Sequence, residues 1–211
     1  MDINKEYYRN RGERVVRAMH KRNFFAEYFD SSAEAVKSIL KMIPEGASVS
    51  WGGSVSLTES GLKTALQDSG YNLLDREKVD DPGKMPEFYY KASGVDYYIM
   101  SANAITIDGK LVNIDGRGNR LAALLYGPKN IIVIAGMNKV VESEEEAVSR
   151  VKNVASPLNA MRLEMNTPCT KTGSCADCQS TDCICANTVI TRRTREKERI
   201  KVFLIGEKLG F

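Results

Sequence analysis

Hydrophobic and polar positions recur with two different periods along this chain. From about Asn4 to Arg22 the apolar residues Tyr8, Val15, Val16 and Met19 fall on one side of a 3.6-residue turn, which predicts an amphipathic helix. Asn23 to Phe29 carries three phenylalanines. A second helix follows, capped by Ser31 or Ser32, lined by Ala35, Val36, Ile39 and Leu40, and stopped near Pro44. The period then shortens. Ala47 to Trp51 reads as a short strand, and Gly52-Gly53-Ser54 leads into Ser56-Leu57-Thr58-Glu59, which has the form of a helix-capping box. That helix is expected to run to about Ser69, where Gly70 ends it, with a short strand at Tyr71 to Leu74 and a connection over Asp80 to Pro86. Glu87 to Ser93 reads as a short helix.

The second half repeats the alternation. Val95 to Met100 predicts a strand that delivers Ser101, Ala102 and Asn103 to its carboxyl end, where ligands collect in open α/β sheets. Asp108-Gly109, between Ile105 and Ile107 on one side and Leu111 and Ile114 on the other, predicts a hairpin turn. Asn130 to Ala135 is a continuous β-branched run that predicts a strand buried on both faces. Glu142 to Lys152 predicts a helix opened by Ser143 and Glu146, and Thr188 to Arg193 and Ile200 to Ile205 predict two strands. Strands recurring every ~25–35 residues with helices between them predict a three-layer α/β domain with a mainly parallel sheet. No internal repeat or domain boundary interrupts residues 1–211. The expectation is one domain, with an N-terminal helical segment over about 1–45 and a cysteine-rich loop over about 167–187.

Composition narrows the function. With 211 residues, 43% apolar and 27% charged, the chain can bury a core. A net charge of +3 with dispersed basic residues gives no support to nucleic-acid binding, and no apolar run reaches the ~20 residues of a membrane helix. A cytoplasmic location is the expectation. A single histidine, His20, sits among Arg17, Lys21 and Arg22, so mechanisms that need a histidine base beside a nucleophile have almost nothing to draw on. Acid–base chemistry therefore falls to carboxylates, lysines, tyrosines or a cofactor.

Two glycine-rich loops are candidates for binding an anion. One is Gly52-Gly53-Ser54 between a strand and a helix; the other is Asp115-Gly116-Arg117-Gly118-Asn119-Arg120, which opens onto the apolar segment Leu121 to Tyr126. Either also reads as a tight turn, with Asn119 as a helix cap and solvated arginines. On the anion reading Arg120 and Lys139 neutralise the ligand, while Asn103, Asn119 and backbone amides at Gly52, Gly53, Ser54, Gly116 and Gly118 orient it.

All five cysteines fall within Pro168 to Cys185: Cys169, Cys175, Cys178, Cys183 and Cys185. A C-x2-C pair flanked by further cysteines can supply four thiolates to zinc or to an iron–sulfur cluster. Disulfides or free thiols account for the same pattern.

The sequence resembles the lactate-utilisation (LUD) domain proteins. The residues that carry the likeness are Gly52-Gly53-Ser54 with Glu59 and Gly61; Asp96 through Ser101-Ala102-Asn103-Ala104; Thr106-x-Asp108-Gly109; Asn113-x-Asp115-Gly116-x-Gly118-Asn119-Arg120; Gly127-Pro128-Lys129; and Gly136-x-Asn138-Lys139. The resemblance implies a fold similar to that of ribose-5-phosphate isomerase and the CoA transferases, and a role in lactate or other organic-acid utilisation beside an iron–sulfur oxidoreductase partner. It also implies Cys169, Cys175, Cys178 and Cys185 as a four-cysteine set, with Cys183 extra. Glu59 is the first candidate for a nucleophile or acid–base group, by analogy with the CoA-transferase carboxylate, and Asp108 and Asp115 follow. Two readings stand: a protein binding a small anionic ligand, or a non-catalytic subunit or metal-dependent sensor docking an iron–sulfur partner through its cysteine loop. Apolar helix faces leave room for a homodimer.

Overall fold

The computed structural model of the chain describes residues 2–211. Its centre is a six-stranded sheet in which all neighbours run parallel. The strands are β1 (Phe25–Phe29), β2 (Ser48–Trp51), β3 (Asn72–Leu74), β4 (Tyr97–Met100), β7 (Asn130–Gly136) and β10 (Ile200–Ile205), in the order β1-β10-β7-β4-β2-β3. Because side chains alternate across a strand, β7 sends Ile131, Val133 and Ala135 to one face and Ile132 and Ile134 to the other. The first face is covered by α1 (Ile3–His20), α5 (Met85–Ala92) and α6 (Asn119–Leu125), the second by α2 (Ser32–Met42), α3 (Val55–Glu59) and α4 (Leu62–Gln67). That is a three-layer α/β architecture with a parallel sheet, as the alternation predicts.

A second, four-stranded sheet stands beside the first. It is built from β5 (Ala104–Thr106), β6 (Leu111–Asp115), β8 (Val140–Val141) and β9 (Asn187–Thr191), in the order β8-β5-β6-β9. The hairpin predicted at Asp108-Gly109 joins β5 to β6. α7 (Glu144–Arg150) packs Ala147 against this sheet, capped by Ser143 accepting from the Glu146 amide as the sequence predicts. A single π-helical turn, Val151–Ala155, continues it into α8 (Ser156–Arg162), and α9 (Pro168–Thr172) leads into the cysteine segment.

Several expectations are corrected. The N-terminal segment over 1–45 is not helical throughout: Phe25–Phe29 forms β1, whose Phe25 and Phe29 rings pack on Phe203 of β10. Met1 lies outside the described residues. The helix expected from Ser56 to Ser69 breaks at Gly61, where φ is +78°, into α3 and α4. Its cap is Ser54, not Ser56, because Ser54 Oγ accepts from the Leu57 amide. The two C-terminal strands, adjacent in sequence, join different sheets.

Candidate functional site

A cavity of about 820 Å3 opens at the carboxyl ends of β7, β4, β2 and β3, four consecutive strands of the parallel sheet. The loop after each strand contributes to its lining. Gly53, Ser54 and Ser56 follow β2, Arg76 follows β3, Ser101, Ala102 and Asn103 follow β4, and Lys139 follows β7. This is the crevice where parallel α/β sheets hold ligands, since backbone groups and loop side chains converge there. The β6–α6 loop and α8 form one wall. Residues 181–184 of the cysteine segment close over it, packed so tightly that a side chain at Gly116 would meet Ile184 Cα at 3.0 Å.

Arg120 lies at the centre with its guanidinium fully engaged. Nε donates to Asp115 Oδ1 (2.9 Å), Nη1 to Ser101 O (2.8 Å) and Asn113 Oδ1 (2.9 Å), and Nη2 to Asn103 Oδ1 (2.7 Å) and Ile114 O (3.0 Å). Five donors meet five acceptors. The side chain expected to neutralise an incoming anion is instead the tie between β4, the hairpin and α6. Asp115 is held by the same tie and accepts from the Leu121 amide (3.0 Å), so it caps α6 from outside. The helix cap itself is Gly118, at φ +80°, where a side chain is strained; Asn119 is the first helical residue and faces the cavity. Asn103 uses its side-chain oxygen on Arg120 and on the Ile114 amide (3.0 Å).

Three other arginines line the cavity and carry the charge that Arg120 does not offer. Arg76, Arg117 and Arg162 form no ion pair among the described residues, and Arg76 and Arg117 donate no side-chain hydrogen bond. Arg162 reaches only Asn159 Oδ1, with Nε (3.1 Å) and Nη2 (2.8 Å). Burial lowers the Arg162 pKa from its ordinary value and the neighbouring Arg76 lowers it further, as expected for two cations sharing one wall.

Lys139 is buried, with 4% of its surface exposed, and has no carboxylate in contact. Its Nζ lies 2.9 Å from Ser56 Oγ, 2.9 Å from Ser101 Oγ and 3.2 Å from Ala102 O. Desolvation, with the charges of Arg150 and Arg120 behind it and Glu59 opposing them, lowers its pKa to about 7. The unfolded chain therefore holds this proton up to the ordinary lysine value of 10.5 while the folded chain releases it near 7. The residue's contribution to stability rises with pH across that window and is lost as pH falls through 7. Urea titrations from pH 7 to 10 should show this rise in the wild type, and Lys139→Met should flatten it.

The predicted carboxylates lie elsewhere. Glu59 is exposed on the outer side of α3 and does not line the cavity; its Oε2 accepts from the Gly210 amide (2.6 Å) and anchors residues 207–210. Asp108 sits at the far end of the hairpin, bonded to Arg22 (2.7 Å) and Lys110 (3.0 Å), and borders a separate basic cleft. Asp108 is remote from Lys139; Glu59 makes no contact with it, yet its charge acts on the lysine from the Gly210 side. Gly52 is filled from behind, since a side chain there would meet the Tyr98 hydroxyl at 3.2 Å and Arg120 Cδ at 3.4 Å, and its amide bonds Ile99 O.

The cysteine side chains do not converge as a four-ligand set. All five are free thiols; Cys169 Sγ contacts Thr167 Oγ1 (3.2 Å), Cys183 Sγ contacts Cys185 Sγ (3.2 Å), and Cys175 Sγ accepts from the Asp177 amide. Among the described residues no three His, Cys, Asp or Glu side chains are grouped to hold a metal ion. Cys175 and Cys178 are nevertheless near enough to Cys185 for their charge to act on it. Burial, then the Cys183 thiol beside it, pushes the Cys185 pKa up to about 12.

Sequence reading missed Ser56 as a site residue and passed over Ser101, Arg76 and Arg162. A signal existed for Ser101 and Arg76, polar residues directly after predicted strands. None existed for Arg162, which reaches the cavity only through the path of α8.

Comparison with known proteins agrees with this architecture. A DUF162 family protein from Deinococcus radiodurans superposes with a TM-score of 0.53 at 13% identity, covering 95% of this chain and 98% of that one. More distant matches are the tetrameric eIF2B-beta2-delta2 complex from C. thermophilum (TM-score 0.42, 15% identity, 82% of this chain and 55% of that one) and ribose 5-phosphate isomerase A from Neisseria gonorrhoeae (TM-score 0.35, 16% identity, 54% of each). No curated protein sequence matches. Among the described residues no helix is long and apolar enough to cross a membrane. The family model of the LUD domain matches residues 12–205, and the chain belongs to the LUD-domain family.

Proposed function

We propose that this protein binds a small organic anion, a carboxylate of the lactate or pyruvate type or its phosphate-bearing counterpart, in the cavity at the carboxyl ends of β7, β4, β2 and β3. One observation carries the reading: three guanidinium groups, Arg76, Arg117 and Arg162, face one cavity with no carboxylate partner among the described residues. Arg76 is half-buried while Arg117 and Arg162 are exposed, so water screens their mutual repulsion, and an anion entering the concave space between them is attracted by all three. The role in organic-acid utilisation is what the family resemblance supplies. Arg120 belongs to the frame of this site, and Arg76 and Arg162 take over the neutralising role first read for it.

Thermal-shift and calorimetric titration with pyruvate, L-lactate and inorganic phosphate tests the reading. A charge-assisted hydrogen bond contributes about 1.5–3 kcal/mol, so losing two of them, each at the lower end for arginines with access to water, should make Arg76→Ala/Arg162→Ala bind the anion about two orders of magnitude more weakly. The proposal fails if none of the three anions binds the wild type, or if the double variant retains wild-type affinity.

A further inference from the structure

Anion binding leaves one feature of the cavity without a purpose. Ser56, Ser101 and Lys139, each just beyond the carboxyl end of one of three neighbouring strands, form a closed set of two hydroxyls and one amine at its floor. All three are more than nine-tenths buried and all three line the cavity. A lysine that served only to attract an anion would present its ammonium to the ligand. Here Nζ is aimed at the two serines and the Ala102 carbonyl instead.

The hydrogen-bond inventory assigns the direction of each contact. Ser56 Oγ donates to Leu209 O (3.2 Å), so it is an acceptor toward Nζ. Ala102 O can only accept. A neutral amine has two N–H donors and one lone pair, so its donors are used on Ser56 and Ala102 and its lone pair is left for Ser101. Ser101 Oγ has only long alternatives for its own proton, Ser56 Oγ at 3.3 Å and Ala102 O at 3.4 Å, against 2.9 Å to Nζ. The charged amine is equally well accommodated, with three donors to three acceptors. Both protonation states are thus hydrogen-bonded in place, which is what a group that takes up and returns a proton requires. No carboxylate touches Nζ; the charges that face it are Arg150 and Arg120, which disfavour the ammonium, and Glu59, bonded to the Gly210 amide, which favours it.

We propose that Ser101 is a nucleophile toward acyl groups, with Lys139 as its general base and Ser56 as the residue that positions the amine. The substrate class is an ester or thioester of a small organic acid; its anionic character rests on the binding reading above, while the serine chemistry does not. Ser101 Oγ forms a bond to the acyl carbon as its proton passes to Lys139 Nζ. The bond from that carbon to the leaving oxygen or sulfur breaks, and the Nζ proton goes to the leaving group. Water then attacks the acyl-serine, giving its proton to Nζ; the acid departs and the proton returns to Ser101 Oγ.

The full-length protein treated with p-nitrophenyl acetate tests this, with the modified residue mapped by peptide mass spectrometry. The ester is uncharged, so failure of the anion reading leaves this result unaffected, and the anion titrations in turn do not depend on acylation. Acetylation is expected on Ser101, at a rate that rises with pH through a midpoint near 7, where Lys139 gives up its proton. Ser101→Ala should remove that adduct. Lys139→Met should slow it at least ~100-fold, the lower end of what a general base contributes. Ser56→Ala should keep the adduct and move the pH midpoint, which a purely structural serine would not do. Circular dichroism checks that the variants fold, and the wild-type pH profile stands without them. The proposal is overturned if wild-type Ser101 takes no acetyl group between about pH 6 and 9, a range spanning both states of the amine. It is equally overturned if Lys139→Met acetylates at the wild-type rate, or if the acetyl group sits on Lys139 Nζ with Ser101 unmodified.

Discussion

Arg120→Ala is expected to lower the stability of the protein by about 3–5 kcal/mol, the range for breaking a buried ion pair by removing one partner. The guanidinium side chain is 14% exposed and its partner Asp115 11%, so little solvent is present to replace the lost contacts. The substitution strands more than one acceptor. Asn113, fully buried, loses the only partner of its side-chain oxygen, and its amide nitrogen already has none. Asn103 and Asp115 each lose a charged donor, and the carbonyls of Ser101 and Ile114 are left open. Unsatisfied buried groups of this kind each cost about 1–3 kcal/mol, and partial relaxation keeps the total below their sum. Urea unfolding followed by the fluorescence of Trp51, the one tryptophan and itself buried, reads the change directly. Arg120→Lys should recover only part of it, because an ammonium has three donors where five are used. A loss under about 1 kcal/mol would mean that the guanidinium is not tied down, and would return Arg120 to the role of an anion ligand.

Gly136→Ala is the second large expected effect, and it acts on the backbone. The added Cβ would lie 2.4 Å from Glu207 O and 2.6 Å from Leu209 N, both main-chain atoms that cannot turn aside. Residues 207–210 must then withdraw from the end of β7. They are held there by Met137 N to Glu207 O (3.1 Å), Leu209 N to Asn138 Oδ1 (3.1 Å), Asn138 Nδ2 to Gly210 O (3.2 Å) and Gly210 N to Glu59 Oε2. Overpacking of a tight contact costs about 1–3 kcal/mol, and the backbone clash puts this substitution at the upper end. Hydrogen exchange at the Leu209 and Gly210 amides should quicken, since both are bonded in the native protein. Gly70→Ala, where nothing lies within 4 Å of the added carbon, is the control expected to cost little. Unchanged exchange and an unchanged urea midpoint in Gly136→Ala would show that this segment is not packed as described.

Both substitutions fall on residues that the sequence singled out for other reasons. Gly136 reads as the stop of a β-branched run and Arg120 as a free cation in a glycine loop. The first description is correct locally and omits Glu207 and Leu209, which pack on Gly136 from about 70 positions away. The second fails because Asn113, Ile114 and Asp115, five to seven positions before Arg120, join Ser101 and Asn103 as its acceptors. Glu59 shows the same limit in reverse. Its place after a strand, a diglycine and a cap suggests a catalytic carboxylate, yet the break at Gly61 and the cap at Ser54 leave it pointing outward to the Gly210 amide.

The sequence by itself determined the elements and their class. A β-branched run such as Asn130 to Ala135 can be buried only inside a sheet covered on both faces, Asp-Gly at 108–109 turns a hairpin, and Ser31 and Ser143 start helices, because these preferences act within a few residues. The motifs spread from Gly52 to Lys139 likewise carried the family. Only the tertiary structure decided which cations are free and which groups meet. Ser56, Ser101 and Lys139 are separated by 45 and 38 residues and come together because β2, β4 and β7 lie side by side, with β3, which intervenes in the chain, moved out to the sheet edge. Arg120 is consumed by acceptors that the hairpin folds around it, and within the cysteine loop Cys183 and Cys185 are brought into contact. Hydrogen-bond satisfaction is a property of all the groups within about 3 Å, and for this site those groups come from five separate stretches of chain.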